Sequence, residues 1–336
     1  MDGSALPEGK LPAAVLERLL ERFGAAAGVE LGPALGEDAA VASLAGEPRL
    51  VMAADPITFP SPDPGWHAVI VNANDVAATG GAPRWFLSSV IAPPGTDEAW
   101  LARVAGGIAR GCEEVGAAPV GGHTEISASV STPVVAGTMI GTATPERIKP
   151  SGDAREGDMI VITKGIAIEA TAVVTGAEGD AVEARFGRGF RERAEAFLRD
   201  PGISVAAEAE VAAGVLGVRA MHDVTEGGLA TALHEMADCA GLGVVVADTE
   251  IPRFQESKFL MEHFRLDILG AIGSGALLIA CSEPETADLL DRLGEAGCPG
   301  HVIGRFTQRS SGAVLVRGSA RRPLPRFPAD EVTRIV

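Results

Sequence analysis

HDVTEGGLATALHEMA, residues 222–237, opens as the end of a strand and continues as a helix. Leu229, Ala232, Leu233, Met236 and Ala237 share one helical face over Thr225–Ala240, and Gly241 marks the stop. Thr225 stands where it can cap the helix, with Gly227 and Gly228 in the first turn. Such a start aims free N–H groups and the positive dipole end at an anion such as a phosphate. The alternative is a capped helix whose glycines serve close packing. Arg219–Asp223 reads as the strand end that feeds it.

Similar junctions recur outward from this one. RLVMAAD (49–55) reads as a strand ending at Asp55, and Pro56, Pro60, Pro62 and Pro64 mark an extended loop after it. Trp66, Val69, Ile70, Ala73, Val76 and Ala77 place a helix over Trp66–Thr79. Asn72, Asp75 and Thr79 lie on its opposite face, which is either solvent surface or a wall carrying metal ligands. Trp85–Ala92 reads as a strand, and Asp97 as the cap of a helix running through Val115. Ala117–Val120 reads as a short strand leading into GGHTEIS (121–127), and Thr132–Thr144 as a further strand. Nearer the N-terminus, Leu11–Phe23 has helical spacing and Ala25–Ala34 is loop-like.

Pro145–Gly157 is polar and rich in turn residues, and it sets the domain boundary: residues 1–148 form one unit and 149–336 another. In the second unit, Asp158–Lys164, Val244–Ala247, Gly275–Cys281 and Ala313–Arg317 read as strands. Helices are expected to start at Ala170–Val174 and to cover Glu183–Arg199, Val205–Val215 and Ala287–Ala296, the Glu183 segment lying on the solvent side. Both halves mix short strands with helices, so the expected fold class is α/β (α+β) in two units.

Composition narrows the function. The 336 residues are 46% hydrophobic and 22% charged, an ordinary globular mixture. Gly and Pro make up about 19%, below the roughly 25–30% of low-complexity chains. The chain has no Tyr, aromatics are only 4%, and the formal net charge is −17, which argues against a nucleic-acid binder. A nucleotide remains compatible, since metal ions and backbone N–H groups hold phosphates without a basic surface. Cys112, Cys239, Cys281 and Cys298 form no CxxC pair and sit among apolar or small residues, as in a reducing, cytoplasmic compartment. No segment approaches the ~20 apolar residues of a membrane span, and Asp2 and Glu8 argue against a signal peptide.

Acidic or polar groups stand at four expected element ends: Glu37-Asp38, Asp55, Asn74-Asp75 and His222-Asp223. Each lies beside Gly or Ala, which lets a ligand approach the backbone. Dispersed carboxylates of this kind suit Mg²⁺ held jointly by protein and phosphate oxygens. The six histidines show no zinc spacing. There is no Walker A motif, no strand-to-helix GxGxxG and no GxSxG elbow.

Taken in order, these segments resemble the AIR synthetase superfamily of ATP-dependent enzymes, over roughly residues 30 to 316. The matching pieces are GEDAAV (36–41), Asp55, NANDVAATGGAP (72–83), VGGHTE (120–125), KPSGDAREGDMIVITKGIAIEA (149–170) and HDVTEGGLATALHEMA. The last looks most like the hydrogenase expression/formation (HypE) branch and the large subunit of formylglycinamidine synthase. The resemblance implies an N-terminal domain that contributes to a dimeric β-barrel, a C-terminal α/β domain behind it, and ATP with Mg²⁺ in the cleft. Phosphoryl transfer would go to an amide, carboxylate or phosphate oxygen of a small-molecule or protein-bound acceptor.

By the same resemblance Asp38, Asp55 and Asp75 are Mg²⁺ ligands, with Asp75, His123, Lys164 and Asp223 catalytic. Glu37, Asn74, Gly121, Gly122, Thr124, Thr225, Gly227 and Gly228 would bind the nucleotide, and Glu169 is an extra carboxylate nearby. The HypE branch works on a cysteine in a Pro-Arg-Ile-Cys tail, whereas this sequence closes with Thr333-Arg334-Ile335-Val336. The expectation is therefore an intact ATP site with a different acceptor. The alternatives are a nucleotide-binding scaffold in metalloenzyme maturation, with a maturation partner, and a small-molecule kinase resembling thiamine-monophosphate kinase.

Overall fold

The computed structural model describes residues 13, 17, 29–32, 34–44 and 46–336. The helix expected over 11–23 lies almost wholly outside the described residues. Within the stretch read as loop-like, Val29–Leu31 forms a short strand, β1, paired with β2 (Ala40–Leu44).

Two sheets organise the chain. The first holds β1, β2, β3 (Gly46–Ala53), β4 (Pro56–Ile57), β5 (Ala82–Ala92), β6 (Ala118–Ile126) and β7 (Val134–Ala143). Its order is β1-β2-β3-β7-β5-β6, with β4 also on β7. Strand β7 alternates half-buried and buried residues along its whole length, the period of a strand with one face on a core. The GGHTE segment differs from its reading as a loop: Gly121–Glu125 lie inside β6, parallel to β5, with Ser89 opposite His123. The glycines act in that pairing, because a Cβ on Gly122 would stand 2.1 Å from the Ser88 carbonyl oxygen.

Two helices cover this sheet. Helix α1 (Pro64–Ala78) starts at Asp63, whose side chain accepts from the Trp66 N–H, with Pro64 in the first turn. Helix α2 (Glu98–Glu114) is capped by Asp97, as its sequence predicts. The two helices approach closely because Gly65 carries no side chain; a Cβ there would be 2.1 Å from the Val104 carbonyl oxygen.

The solvent alternative for the polar face of α1 does not hold. Asn72, Asn74, Asp75 and Thr79 are all buried. One side of the helix packs on β7 and the other on the C-terminal half, including α6 (Ala206–Ala213) and β9 (Val218–Asp223). Asn74 pins that junction: its amide donates to the Ile203 carbonyl (2.8 Å) and its Oδ1 accepts from the Val205 N–H (2.9 Å).

The second sheet runs β14-β13-β10-β12-β8-β11-β9. Its members are β8 (Met159–Thr163), β9, β10 (Leu242–Ala247), β11 (Leu277–Cys281), β12 (Gly300–Gln308), β13 (Ala313–Arg317) and β14 (Ala320–Pro323). All five residues of β11 are buried, as in a strand covered on both faces. The covering helices are α3 (Ile168–Ala177), α4 (Gly179–Phe186), α5 (Arg188–Glu195), α6, α7 (Gly228–Ala240), α8 (Gln255–Phe264) and α9 (Thr286–Glu295). The single solvated helix expected from Glu183 is two helices broken at Gly187, whose φ is 87°. Helix α7 begins three residues later than Thr225, with left-handed Gly227 as its cap residue. Among the described residues no helix is long and apolar enough to cross a membrane.

Candidate active site

The four expected aspartates come from four elements and both sheets. Asp55 follows β3, Asp75 lies on α1, Asp223 ends β9, and Asp38 precedes β2. Asn72 clamps the Asp55 backbone: its Oδ1 accepts from the Asp55 N–H (2.8 Å) and its amide donates to the Asp55 carbonyl (3.0 Å). One helical turn on, Asp75 is buried, and its carboxyl is raised well above the ordinary carboxylate range. Burial is the largest cause, followed by the charges of Asp223, Asp55 and Asp38 and a hydrogen bond shared with Asp55. The four carboxylates therefore crowd one place, and their mutual repulsion keeps a proton there.

Asp38 and Glu37 also tie the two halves together. Asp38 Oδ1 lies 2.5 Å from His222 Nδ1, and His222 Nε2 lies 3.2 Å from Glu235 Oε2. Burial opposes charge on His222, yet the two flanking carboxylates hold its pKa well above the usual value. Glu37 accepts from the backbone N–H groups of Ser151 (3.0 Å) and Gly152 (3.1 Å) and from the Cys239 thiol. Burial first, then Glu37, pushes that thiol up to about 12.

A cavity of about 600 Å³ opens beside Asp55, floored by the 56–60 loop and by His67, Glu169, Thr225 and Ile272. None of the four cysteines lines it. Of the residues picked from the sequence, Asp55 and Thr225 face this cavity. Lys164 is engaged elsewhere, 3.0 Å from Glu208 Oε1 and 2.6 Å from the Ser204 carbonyl. Asn74 is taken up by Ile203 and Val205. His123 and Thr124 stand on the exposed β6 strand, with His123 paired to Glu125 at 3.1 Å. The Gly227 N–H donates to Asp330 Oδ2 at 2.7 Å, and the Gly228 N–H to the Thr225 carbonyl at 3.1 Å.

Sequence reasoning missed His67, Asn72 and Asp330. Asp330 reaches the α7 start from 103 residues away. His67 hides in the apolar run of α1, and only its partner left a signal: Glu169 is the one charged residue in the apolar stretch 165–177.

Magnesium can be tested against this donor set. Hard carboxylate oxygens are its preferred protein ligands, and it takes one or two of them plus phosphate oxygens. Asp38 Oδ2 is buried without a hydrogen-bond partner, and Asp75 is held in a field that a cation would relieve. Among the described residues no three His, Cys, Asp or Glu side chains form a ready cage. The arrangement fits an ion brought in with phosphate rather than one held by protein alone.

A two-sheet α/β architecture with aspartates from both halves meeting at the junction is the layout of the AIR synthase fold. The chain belongs to the AIR synthase related family: the N-terminal domain of that family matches residues 36–143 and the C-terminal domain 155–317. The carbamoyl dehydratase HypE of Rhodobacter capsulatus is 32% identical over 277 residues, covering 79% of this chain and 77% of that protein. The selenide, water dikinase of Carboxydothermus hydrogenoformans is 26% identical, covering 85% and 88%. Among solved structures, the hydrogenase maturation protein HypE in complex with ATP superposes with a TM-score of 0.72 at 24% identity, covering 89% and 90%. A ThiL protein complexed with AMPPCP and TMP does so with 0.71 at 19%, covering 93% and 94%.

Proposed function

We propose that this protein is an ATP-dependent enzyme that moves the γ-phosphoryl group to an oxygen of an amide, carboxylate or phosphate acceptor bound in the 600 Å³ cavity. The crowding of Asp38, Asp55, Asp75 and Asp223 at the mouth of that cavity carries this reading. Buried carboxylates that repel one another are costly unless a cation offsets them. Asp55 and Asp75, with Asp38 and Asp223 beside them, would hold Mg²⁺ together with the nucleotide phosphates. The ion would neutralise charge on the transferring group. Phosphoryl transfer asks little else of the protein beyond positioning and exclusion of water. Asn72 supplies positioning by fixing the Asp55 backbone, and the 56–60 loop walls the cavity.

Relatives support the reading: a dehydratase and a dikinase by name, and solved structures with ATP or AMPPCP bound. Because no cysteine lines the cavity, the acceptor is proposed to be a separate molecule rather than a thiol of this chain. The chain is also proposed to work as a homodimer, through the edge strand β6. All nine β6 residues are exposed, and Trp85, Leu87, Val120 and Ile126 present apolar surface on β5 and β6. An unpaired edge of this kind is normally covered. The test is ADP formation from Mg·ATP with panels of small carboxamides, carboxylates and phosphate esters. One panel is expected to raise ADP release well above the acceptor-free rate; acceptor-free rates throughout would favour the scaffold reading.

A further inference from the structure

The cavity contains one feature that aspartate chemistry does not use. His67, in the first turn of α1, is 1% exposed, and Glu169, in the first turn of α3, is 3% exposed. His67 Nε2 lies 3.0 Å from Glu169 Oε1, an ion-pair distance without an aligned hydrogen bond, and His67 Nδ1 is buried with no partner at all. Both residues line the cavity. Burial alone would raise the Glu169 carboxyl, but the charge and hydrogen bonding of His67, with the Ser274 hydroxyl, hold it below its ordinary value.

The backbone that delivers Glu169 is strained. Lys164 and Ala167 adopt left-handed conformations (φ 46° and 59°) although neither is glycine. Such residues cost roughly 1–3 kcal/mol each and gather at functional sites. A histidine and a glutamate placed against a cavity at this cost, with one ring nitrogen unsatisfied, are poorly explained as packing.

We propose that His67 is the general base of the acceptor half-site and that Glu169 is its positioning residue. The proposal rests on the phosphoryl-transfer reading above and names the group that handles the acceptor proton. The carboxylate beside Nε2 makes that nitrogen the protonated one and leaves the Nδ1 lone pair for the cavity. The acceptor class follows: a molecule whose reacting oxygen or adjoining nitrogen carries a proton. As the acceptor oxygen attacks the γ-phosphorus, the new P–O bond forms and the bond to the β,γ-bridging oxygen breaks. ADP leaves with that electron pair, and the acceptor proton passes to His67 Nδ1, giving an imidazolium that Glu169 stabilises. The other ionisable side chains facing the cavity are Asp55 and Glu226.

The test uses the full chain, with His67→Gln and Glu169→Gln. Binding of a non-hydrolysable ATP analogue with Mg²⁺ is followed by melting temperature; its absence in the wild type overturns the phosphoryl-transfer reading itself. ADP formation with water as the acceptor is then measured from pH 5.5 to 9. The expected result is analogue binding within about twofold in both variants, with His67→Gln slowing turnover by ~10²–10⁴-fold. The wild-type rate rises with pH along one limb that His67→Gln lacks and that Glu169→Gln moves to lower pH. A merely structural histidine would leave that limb in place, which overturns the proposal. If the wild type binds the analogue but does not use water, ¹⁵N-histidine NMR decides. The signal missing from His67→Gln should show the Nε2–H tautomer at pH 8; an imidazolium across pH 6–9, or the Nδ1–H tautomer, overturns the assignment.

Discussion

Asn74→Ala is the sharpest test of how the two halves are joined. Asn74 is fully buried, and its two hydrogen bonds end on the Ile203 carbonyl and the Val205 N–H, at residues that are themselves fully buried. Truncation strands one backbone donor and one acceptor where water does not reach. Each orphaned group costs about 1–3 kcal/mol, so the pair sums to about 4 kcal/mol, and slight relaxation brings this to about 3.5 kcal/mol. An unfolding entropy of about 2.1 cal/mol/K per residue gives about 0.7 kcal/mol/K for the chain, hence a Tm lowered by about 5 °C. Differential scanning calorimetry reads this directly, and urea unfolding at 25 °C gives the matching loss. A shift below about 1.5 °C would refute the view that this amide staples α1 to the C-terminal half.

Asp330 gives a pH signature. Burial, opposed by N–H donors from Val332, Gly227 and Ile272, raises its carboxyl to about 6. The folded value lies above the unfolded ~3.9, so the proton-linked stability is complete below pH ~4 and is lost as pH rises through 6, about 3 kcal/mol in all. The stability of Asp330→Asn relative to wild type should therefore climb by about that amount between pH 4 and 7 in urea unfolding, and a flat difference would contradict the burial argument. Asp75→Asn removes a carboxylate repelled by three others and should stabilise the ligand-free chain by on the order of 1 kcal/mol, read by the same method. Gly65→Ala forces a Cβ to 2.1 Å from the Val104 carbonyl oxygen, so α1 and α2 must separate. A loss of about 3 kcal/mol or more is expected, and a near-neutral variant would mean that the helix contact is softer than it looks.

Much of the fold is written in local pattern. The Asp97 cap, the apolar stripe of α1 and the uninterrupted MIVIT of β8 each point to one element because each is decided by near neighbours. What the sequence hid is decided at long range. The polar face of α1 looks solvent-facing until residues 203–205, some 130 positions later, take up Asn74. Gly121 and Gly122 suggest a loop, but they permit close pairing of β6 with β5. Gly227 looks like a phosphate donor, and its N–H is taken by Asp330. The aspartate cluster was legible because carboxylates beside small residues at strand and helix ends are unusual in a core. His67 was not, since a histidine in an apolar stripe carries no mark of its partner 102 positions away.

The central claim is that the aspartates at the junction bind nucleotide through magnesium. Its most direct test is the melting temperature of the wild type and Asp75→Asn with a non-hydrolysable ATP analogue, with and without Mg²⁺. At 100 times its dissociation constant the ligand should stabilise the wild type by about 2.7 kcal/mol, a rise of about 4 °C that disappears without Mg²⁺ and in Asp75→Asn. No rise in the wild type, or one that is indifferent to Mg²⁺ and to Asp75, would contradict the account.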